Sequence, residues 1–221
     1  MDSSARQLLL DSLWPLARGA LAGTIPLTLV SFALGLVLAL LVALGRMSRV
    51  TPVRLLARFY ISVIRGTPLL VQLFIIFYAL PGLGIVIDPF PSAVIAFSLN
   101  VGGYAAETIR AAILSVPRGQ WEAAETIGLT HATTLRRVIL PQALRVAVPP
   151  LSNTFISLVK DTSLASSIMV VELLRQAQQQ AAPTYEFLLL YSLAALYYWV
   201  ICTVLSTLQS RLERRLDARA A

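Results

Sequence analysis

Charge is scarce in this sequence of 221 residues: Asp, Glu, Lys and Arg make up 13% of it, about half of the roughly 25% in an ordinary soluble domain. Cys202 is the sole cysteine, which excludes an intramolecular disulfide framework and a cysteine-based metal site. His131 is the single histidine and has no cysteine or acidic cluster beside it, so neither a metal centre nor a histidine-based triad finds support. Lysine also occurs once, at Lys160 inside an apolar stretch, and no Gly-x-x-x-x-Gly-Lys-Ser/Thr phosphate loop is present. ATP binding by that route is therefore not expected of this chain.

What is abundant is apolar. Hydrophobic residues are 57% of the chain and its mean hydropathy is +0.75. A chain of this length suits one domain or a small bundle, and its interior is too small to hide that much apolar surface. Part of the surface must face lipid. The net charge of +7 comes from 17 Arg and one Lys, which are dispersed rather than gathered into one patch.

Five apolar runs approach the roughly 20 helical residues that cross a hydrocarbon core. Gly19 to Gly45 has no charge, and Gly66 to Ile87 holds only Gln72 as a strongly polar side chain. Pro89 to Ala106 leads into Glu107 and Arg110, Val146 to Val171 is interrupted by Lys160 and Asp161, and Phe187 to Ser210 ends the series. Strict alternation is missing, so barrel strands do not fit. The expected fold is all-α: a polytopic membrane protein with five transmembrane helices at about 19–45, 58–84, 89–112, 146–171 and 187–210. Residues 1–18, interrupted by Pro15, read as an interfacial amphipathic segment, because the run from Gly19 exceeds a signal-peptide core. Gln176 to Gln180 read as a polar outer helix or loop between spans four and five.

Basic residues set the orientation. The links after spans one and three, and the basic tail 211–221, hold 13 of the 18 basic residues and fall on one side of a five-span topology. The N-terminus is therefore expected outside and the C-terminus in the cytoplasm. That distribution explains the high isoelectric point with no nucleic acid as partner. Five spans without an internal repeat look like half of an assembly.

The loop 117–141 carries the most information. Arg118 to Ile127 are good helix formers after a proline, and Gly128 stands where a left-handed cap ends that helix. Thr130 suits the cap of a second short helix with Leu135, Val138 and Ile139 on one face, ended by Pro141. The two short helices form a corner suited to docking in a partner's groove. Glu122-Ala123-Ala124, Gly128 and Leu140-Pro141 also match the spacing of the signature loop of type I ABC importer permeases, departing conservatively at Val138, where that family more often has Ile. Further stretches resemble the polar amino acid permeases of the histidine, glutamine and arginine type: Ile64-Arg-Gly-Thr-Pro-Leu-Leu-Val-Gln72, Tyr104 through Glu107 to Arg110, Ser115 to Gln120, and Lys160-Asp161-Thr162-Ser163-Leu164.

The resemblance implies an importer of two five-helix permease subunits, either identical or related, two cytoplasmic ABC ATPase subunits, and a periplasmic or extracellular substrate-binding protein. Loop 117–141 would be the ATPase-coupling segment, with Glu122, Ala123, Ala124, Gly128, Leu140 and Pro141 in the docking motif. The chain itself would bind no cofactor, ATP and Mg belonging to the partner subunit, and would do no covalent chemistry. Its place would be the bacterial cytoplasmic (inner) membrane and its cargo a polar amino acid.

Ionisable groups inside spans are costly, which marks them for attention. Lys160 and Asp161 lie about 14 and 15 residues into span four, roughly 21 Å along it. With Thr162, Ser163, Gln72, Asn100 and Tyr104 they are candidates to line a polar cavity for a zwitterion; an interhelical polar contact that never meets cargo fits them as well. Arg65 suits snorkelling, pairing with Glu107, or gating of the inner end, and Glu107 and Arg110, three apart, suit a local bridge. Rival functions are an ion- or proton-coupled carrier relaying through Glu107, Lys160 and Asp161, an ABC permease for a non-amino-acid solute, and a non-transporting scaffold.

Overall fold

The computed structural model describes residues 3–217, and every regular element among them is helical. α1 (Ser3–Gly19) passes through a π-helical turn, Ala20–Thr24, into α2 (Ile25–Met47). α3 (Thr51–Gly66) and α4 (Leu69–Phe74) are followed by a second π turn, Ile75–Ala79, and a 3-10 turn, Leu80–Leu83. The long α5 (Pro89–Ser115) leads to two short helices, α6 (Arg118–Thr126) and α7 (His131–Thr134). A third π turn, Leu135–Ile139, joins α7 to α8 (Leu140–Asp161); a 3-10 turn, Thr162–Ile168, then precedes α9 (Leu173–Thr184) and α10 (Phe187–Asp217). Arg219 and the rest of the basic tail beyond Asp217 lie outside the described residues.

Each π turn stands just ahead of a proline: Pro26, Pro81 and Pro141. Proline supplies no N–H, and its ring crowds the carbonyl four residues back. In all three places the N–H immediately before the proline reaches five residues back, from Ile25 to the Ala20 carbonyl, Leu80 to Ile75 and Leu140 to Leu135. The widened turn moves the crowded carbonyl away, so the helix continues. Pro141 accordingly does not end a helix as the sequence suggests; it lies in the first turn of α8. Pro15 likewise sits inside α1.

The same economy removes the expected boundary at Gly19. Ala5–Met47 is one apolar helix of 43 residues, roughly 65 Å at 1.5 Å per residue and about twice a hydrocarbon core. Leu16, Ala20, Thr24 and Leu27 bury one side of it, so one face of the amphipathic first segment is packed against protein while Leu10, Leu13 and Trp14 stay exposed. The second expected span is instead two helices: Thr51–Gly66 and Leu69–Leu83 meet at 105°. Thr67, held extended by the following Pro68, makes that corner. A 47° bend separates the His131–Ile168 helix from α9. α9 carries Gln176 to Gln180 yet buries Leu173, Ala177 and Ala181 against α1 and α10.

α5 is the centre of the bundle. Ala93, Ala96, Phe97, Val101, Ala105 and Ala106 are all buried along it. Close approach depends on glycine: a Cβ on Gly35 of α2 would lie 2.6 Å from Val101, and one on Gly103 of α5 would lie 2.6 Å from Ile64 of α3. Without a solvent-driven force between helices in lipid, such small-residue contacts supply the packing. Large apolar side chains such as Leu41, Leu56, Phe59, Leu188 and Trp199 point outward, the surface expected of a protein whose solvent is a bilayer.

Candidate functional site

The break between α3 and α4 creates the polar site. Gln72, one turn into α4, is buried and turns its amide nitrogen back on the broken ends: it donates to the carbonyls of Ile64 (2.8 Å) and Thr67 (3.1 Å) and to Thr67 Oγ1 (2.9 Å). A helix C-terminus leaves carbonyls without partners, and in an apolar surrounding each must find one. Gln72 supplies that partner, and its own oxygen accepts from Asn100 Nδ2 at 3.4 Å.

Beside this corner lies an open cleft of about 440 Å³ between the Thr67–Leu69 break, α5 and α8. Its polar lining is Thr67, Asn100, Tyr104, Asn153, Thr154, Ser157 and Asp161, and Asp161 alone carries formal charge. Asn100 and Tyr104 are one turn apart on α5, while Asn153, Ser157 and Asp161 recur every four residues along α8, which places them in one stripe. Arg65 is exposed at the end of α3, with its guanidinium carbon 5.4 Å from the centroid of the Tyr104 ring, a cation held over an aromatic face.

Three sequence candidates therefore meet in the cleft: Asn100, Tyr104 and Asp161. Gln72 stands behind it. Thr162 Oγ1 donates to the Val159 carbonyl (2.7 Å) and Ser163 Oγ to the Lys160 carbonyl (2.7 Å), so both hydroxyls serve the end of their own helix, and Lys160 is exposed outside the lining. Asn153, Thr154 and Ser157 were not singled out from the sequence. Stepping back by fours from Asp161 finds two of them.

Glu107 holds a separate cluster. Arg110 donates to its Oε2 through Nε (3.0 Å) and a terminal nitrogen (2.9 Å), and Arg46 Nε, from the end of α2, donates to Oε1 (3.1 Å). The local Glu107–Arg110 bridge is present, but the third partner is Arg46 and not Arg65. With both carboxylate oxygens engaged, this group ties α2 to α5.

At the 117–141 corner, Gly128 has φ +77 and ends α6 with two bonds, Gly128 N–H to Glu125 (2.9 Å) and Leu129 N–H to Ala124 (3.1 Å). Thr130 caps α7, accepting from the Thr133 N–H at 3.4 Å. Ala124 is buried, whereas Glu122, Ala123 and Ile127 face outward, Ile127 with 74% of its surface exposed. Trp121 stacks on His131 at 5.1 Å, joining the two short helices. Ile139, Ala143 and Ala147 pack on Ala112, Ile113 and Val116, so the corner is fastened to both α5 and α8. A rigid projection with an exposed acidic and apolar face results.

One more residue emerges that sequence reading missed. Glu172 is fully buried: its carboxylate accepts from the Leu174 and Arg175 N–H groups (2.9 and 2.6 Å), from the Tyr198 hydroxyl (2.7 Å) and from Thr24 Oγ1 (3.5 Å). It caps α9 while fixing that helix to the α1–α2 turn and to α10.

Residues 35–218 match the family described as binding-protein-dependent transport system inner membrane component. The L-cystine transport system permease protein TcyB of Bacillus subtilis is 61% identical over 97% of this chain and 92% of its own length. The glutamine transport system permease protein GlnP of Escherichia coli is 40% identical over 93% of this chain and 96% of its own. A solved structure described as an amino acid ABC transporter with histidines shares 39% identity and a TM-score of 0.88, covering 93% of this chain and 96% of that one.

Proposed function

Because the chain belongs to the family of binding-protein-dependent transport system inner membrane components, we propose a specific cargo and path for it. It is a permease subunit of an amino acid ABC importer of the inner membrane. The cargo is L-cystine, the substrate named for a relative 61% identical along nearly the whole chain. Cystine has two ammonium and two carboxylate groups, and moving it through apolar helices requires polar side chains in place of its hydration shell. The α5–α8 cleft carries this reading. Asp161 accepts an ammonium group, and the amides and hydroxyls of Asn100, Asn153, Thr154 and Ser157 replace water along the way.

The remaining parts of the machine follow from the same family. A binding protein delivers cargo outside, and two ATPase subunits bind ATP and magnesium in the cytoplasm. Two copies of this chain, or one with a related subunit, enclose the path across five spans each. The exposed face of α6, with Glu122, Ala123 and the Gly128 turn, docks on an ATPase subunit, and closure of the motor reaches α5 and α8 through the packed corner. The chain does no catalysis of its own.

Asp161→Asn tests the cargo path. In cells supplied with the matching ATPase and binding protein, L-cystine uptake is expected to fall about tenfold or more, since a charge-assisted hydrogen bond is lost, with subunit assembly unchanged. Full uptake by an assembled variant would show that the cleft is not the path and that Asp161 serves packing only.

A further inference from the structure

The cleft holds two carboxamides, Asn100 and Asn153, and each is anchored from behind by a glutamine. A carboxamide has an accepting oxygen and a donating NH₂, and its sense is set by the partners it meets. The anchors are not ambiguous here. Gln209 of α10 points its nitrogen at the Glu213 carboxylate (2.8 Å), a group that only accepts, with the Pro149 carbonyl farther off at 3.4 Å. The same nitrogen is 3.0 Å from the near atom of Asn153. That atom must be Oδ1, because an NH₂ there would face another NH₂. Asn153, a residue that lines the cleft, consequently leaves its Nδ2 unengaged by Gln209.

Gln72 fixes the other amide in the opposite sense. Its nitrogen is committed to the Ile64 and Thr67 carbonyls, so its oxygen faces Asn100, whose Nδ2 donates to it at 3.4 Å. Asn100, which also lines the cleft, therefore keeps Oδ1 free of that anchor. We propose that Gln72 and Gln209 are positioning residues that orient the cleft amides in opposite senses, giving the cleft accepting groups, Asn100 Oδ1 and Asp161, for a cargo ammonium, and a donating group, Asn153 Nδ2, for a cargo carboxylate. The inference rests on the cleft being the cargo path. Asn153 and Asp161 are eight residues apart on α8, roughly 12 Å along its axis, so the donor and the fixed negative charge stand at separate levels. A cleft of this polarity orders an amino acid zwitterion and discriminates against analogues that lack the carboxylate.

Equilibrium binding to the detergent-purified complex of this chain with its ATPase, without binding protein, isolates the membrane site. The probes are L-cystine and L-cystinamide, in which both carboxylates are neutral amides. Wild type is expected to bind L-cystine about tenfold or more tightly than L-cystinamide, the contribution of a hydrogen bond to a charged group. Gln209→Glu removes the donor that holds Asn153 Oδ1, so the amide turns over. L-cystine binding then weakens about tenfold while L-cystinamide binding changes less than about twofold. Asn153→Asp also weakens L-cystine about tenfold, while L-cystinamide, a dication, binds as well as to wild type or better. Gln209→Met, which removes the donor without adding charge beside Glu213, carries the same expectation as Gln209→Glu and serves if the carboxylate variant does not assemble. If Asn153→Asp weakens L-cystine alone and both Gln209 variants bind like wild type, or weaken both probes equally, the positioning role is overturned while the cargo path stands. If wild type fails to bind L-cystine, or Asn153→Asp binds both probes unchanged, the path and the positioning role fall together.

Discussion

Two glycines show how differently a single residue can be constrained. Gly128 has φ +77 with nothing within 4 Å of an added Cβ, so conformation alone demands glycine there. Gly128→Ala is expected to destabilise the corner by about 1 kcal/mol, and Gly128→Asn by less, because Asn tolerates the left-handed region; melting of the purified complex measures the difference. Gly23 lies in the first π turn with no left-handed φ to demand glycine, but an added Cβ would lie 2.3 Å from the Val171 carbonyl oxygen and 2.6 Å from the Glu172 Cα. Backbone cannot yield as a side chain does, so Gly23→Ala is expected to melt at least several degrees lower than Gly66→Ala, where the space is open. Residues that line the cleft are legible in the sequence where a polar group interrupts an apolar run, as at Asn100 and Asp161, since the cost of burial announces them. Asn153 and Ser157 lie among prolines and threonine, where polarity is unremarkable. Glu172 stands at the edge of a run, where a charge looks solvated. Arg110 was legible as a partner for Glu107 because three residues separate them, whereas Arg46 lies 61 residues away and is brought there only by the packing of α2 on α5.

At the scale of elements, prolines divide the chain in ways that local sequence does not decide. Pro68 follows a true break, while Pro26, Pro81 and Pro141 are absorbed by π turns. The difference lies in where the freed carbonyls find partners, and at the break that partner is Gln72, reached across the corner. Gln72→Leu takes the donor from the Thr67 carbonyl at the cleft and from the buried Ile64 carbonyl, and is expected to cost about 1–3 kcal/mol, seen as a lower melting temperature of the assembled complex. Gln72→Glu should lose a similar amount, because a carboxylate does not donate; a variant as stable as wild type would mean that the break is held by other contacts. Helix existence was legible from the long apolar runs, and the Gly128 and Thr130 caps from their residue types. The continuous helix through Gly19 and the 105° corner were not, because both depend on contacts made by other helices.

For the whole molecule, surface composition states the environment. Apolar side chains face outward along α2, α3 and α10, and polar groups turn inward to a cleft and to the Glu107 and Glu172 clusters. This inversion is legible in the hydropathy, and the matched spacing of the 117–141 corner points to a separate motor. In the proposed function, ATP hydrolysis by a partner drives amino acid entry through this chain by way of that corner. That coupling is tested by reconstituting this chain with its ATPase and binding protein in proteoliposomes and measuring L-cystine accumulation, with ATP on the ATPase side, for wild type and Glu122→Lys. Accumulation by wild type is expected to stop without ATP and to persist when the proton gradient is collapsed, with little or none by an assembled Glu122→Lys complex. Accumulation that needs the proton gradient but not ATP, or full ATP-driven uptake by Glu122→Lys, would contradict that coupling.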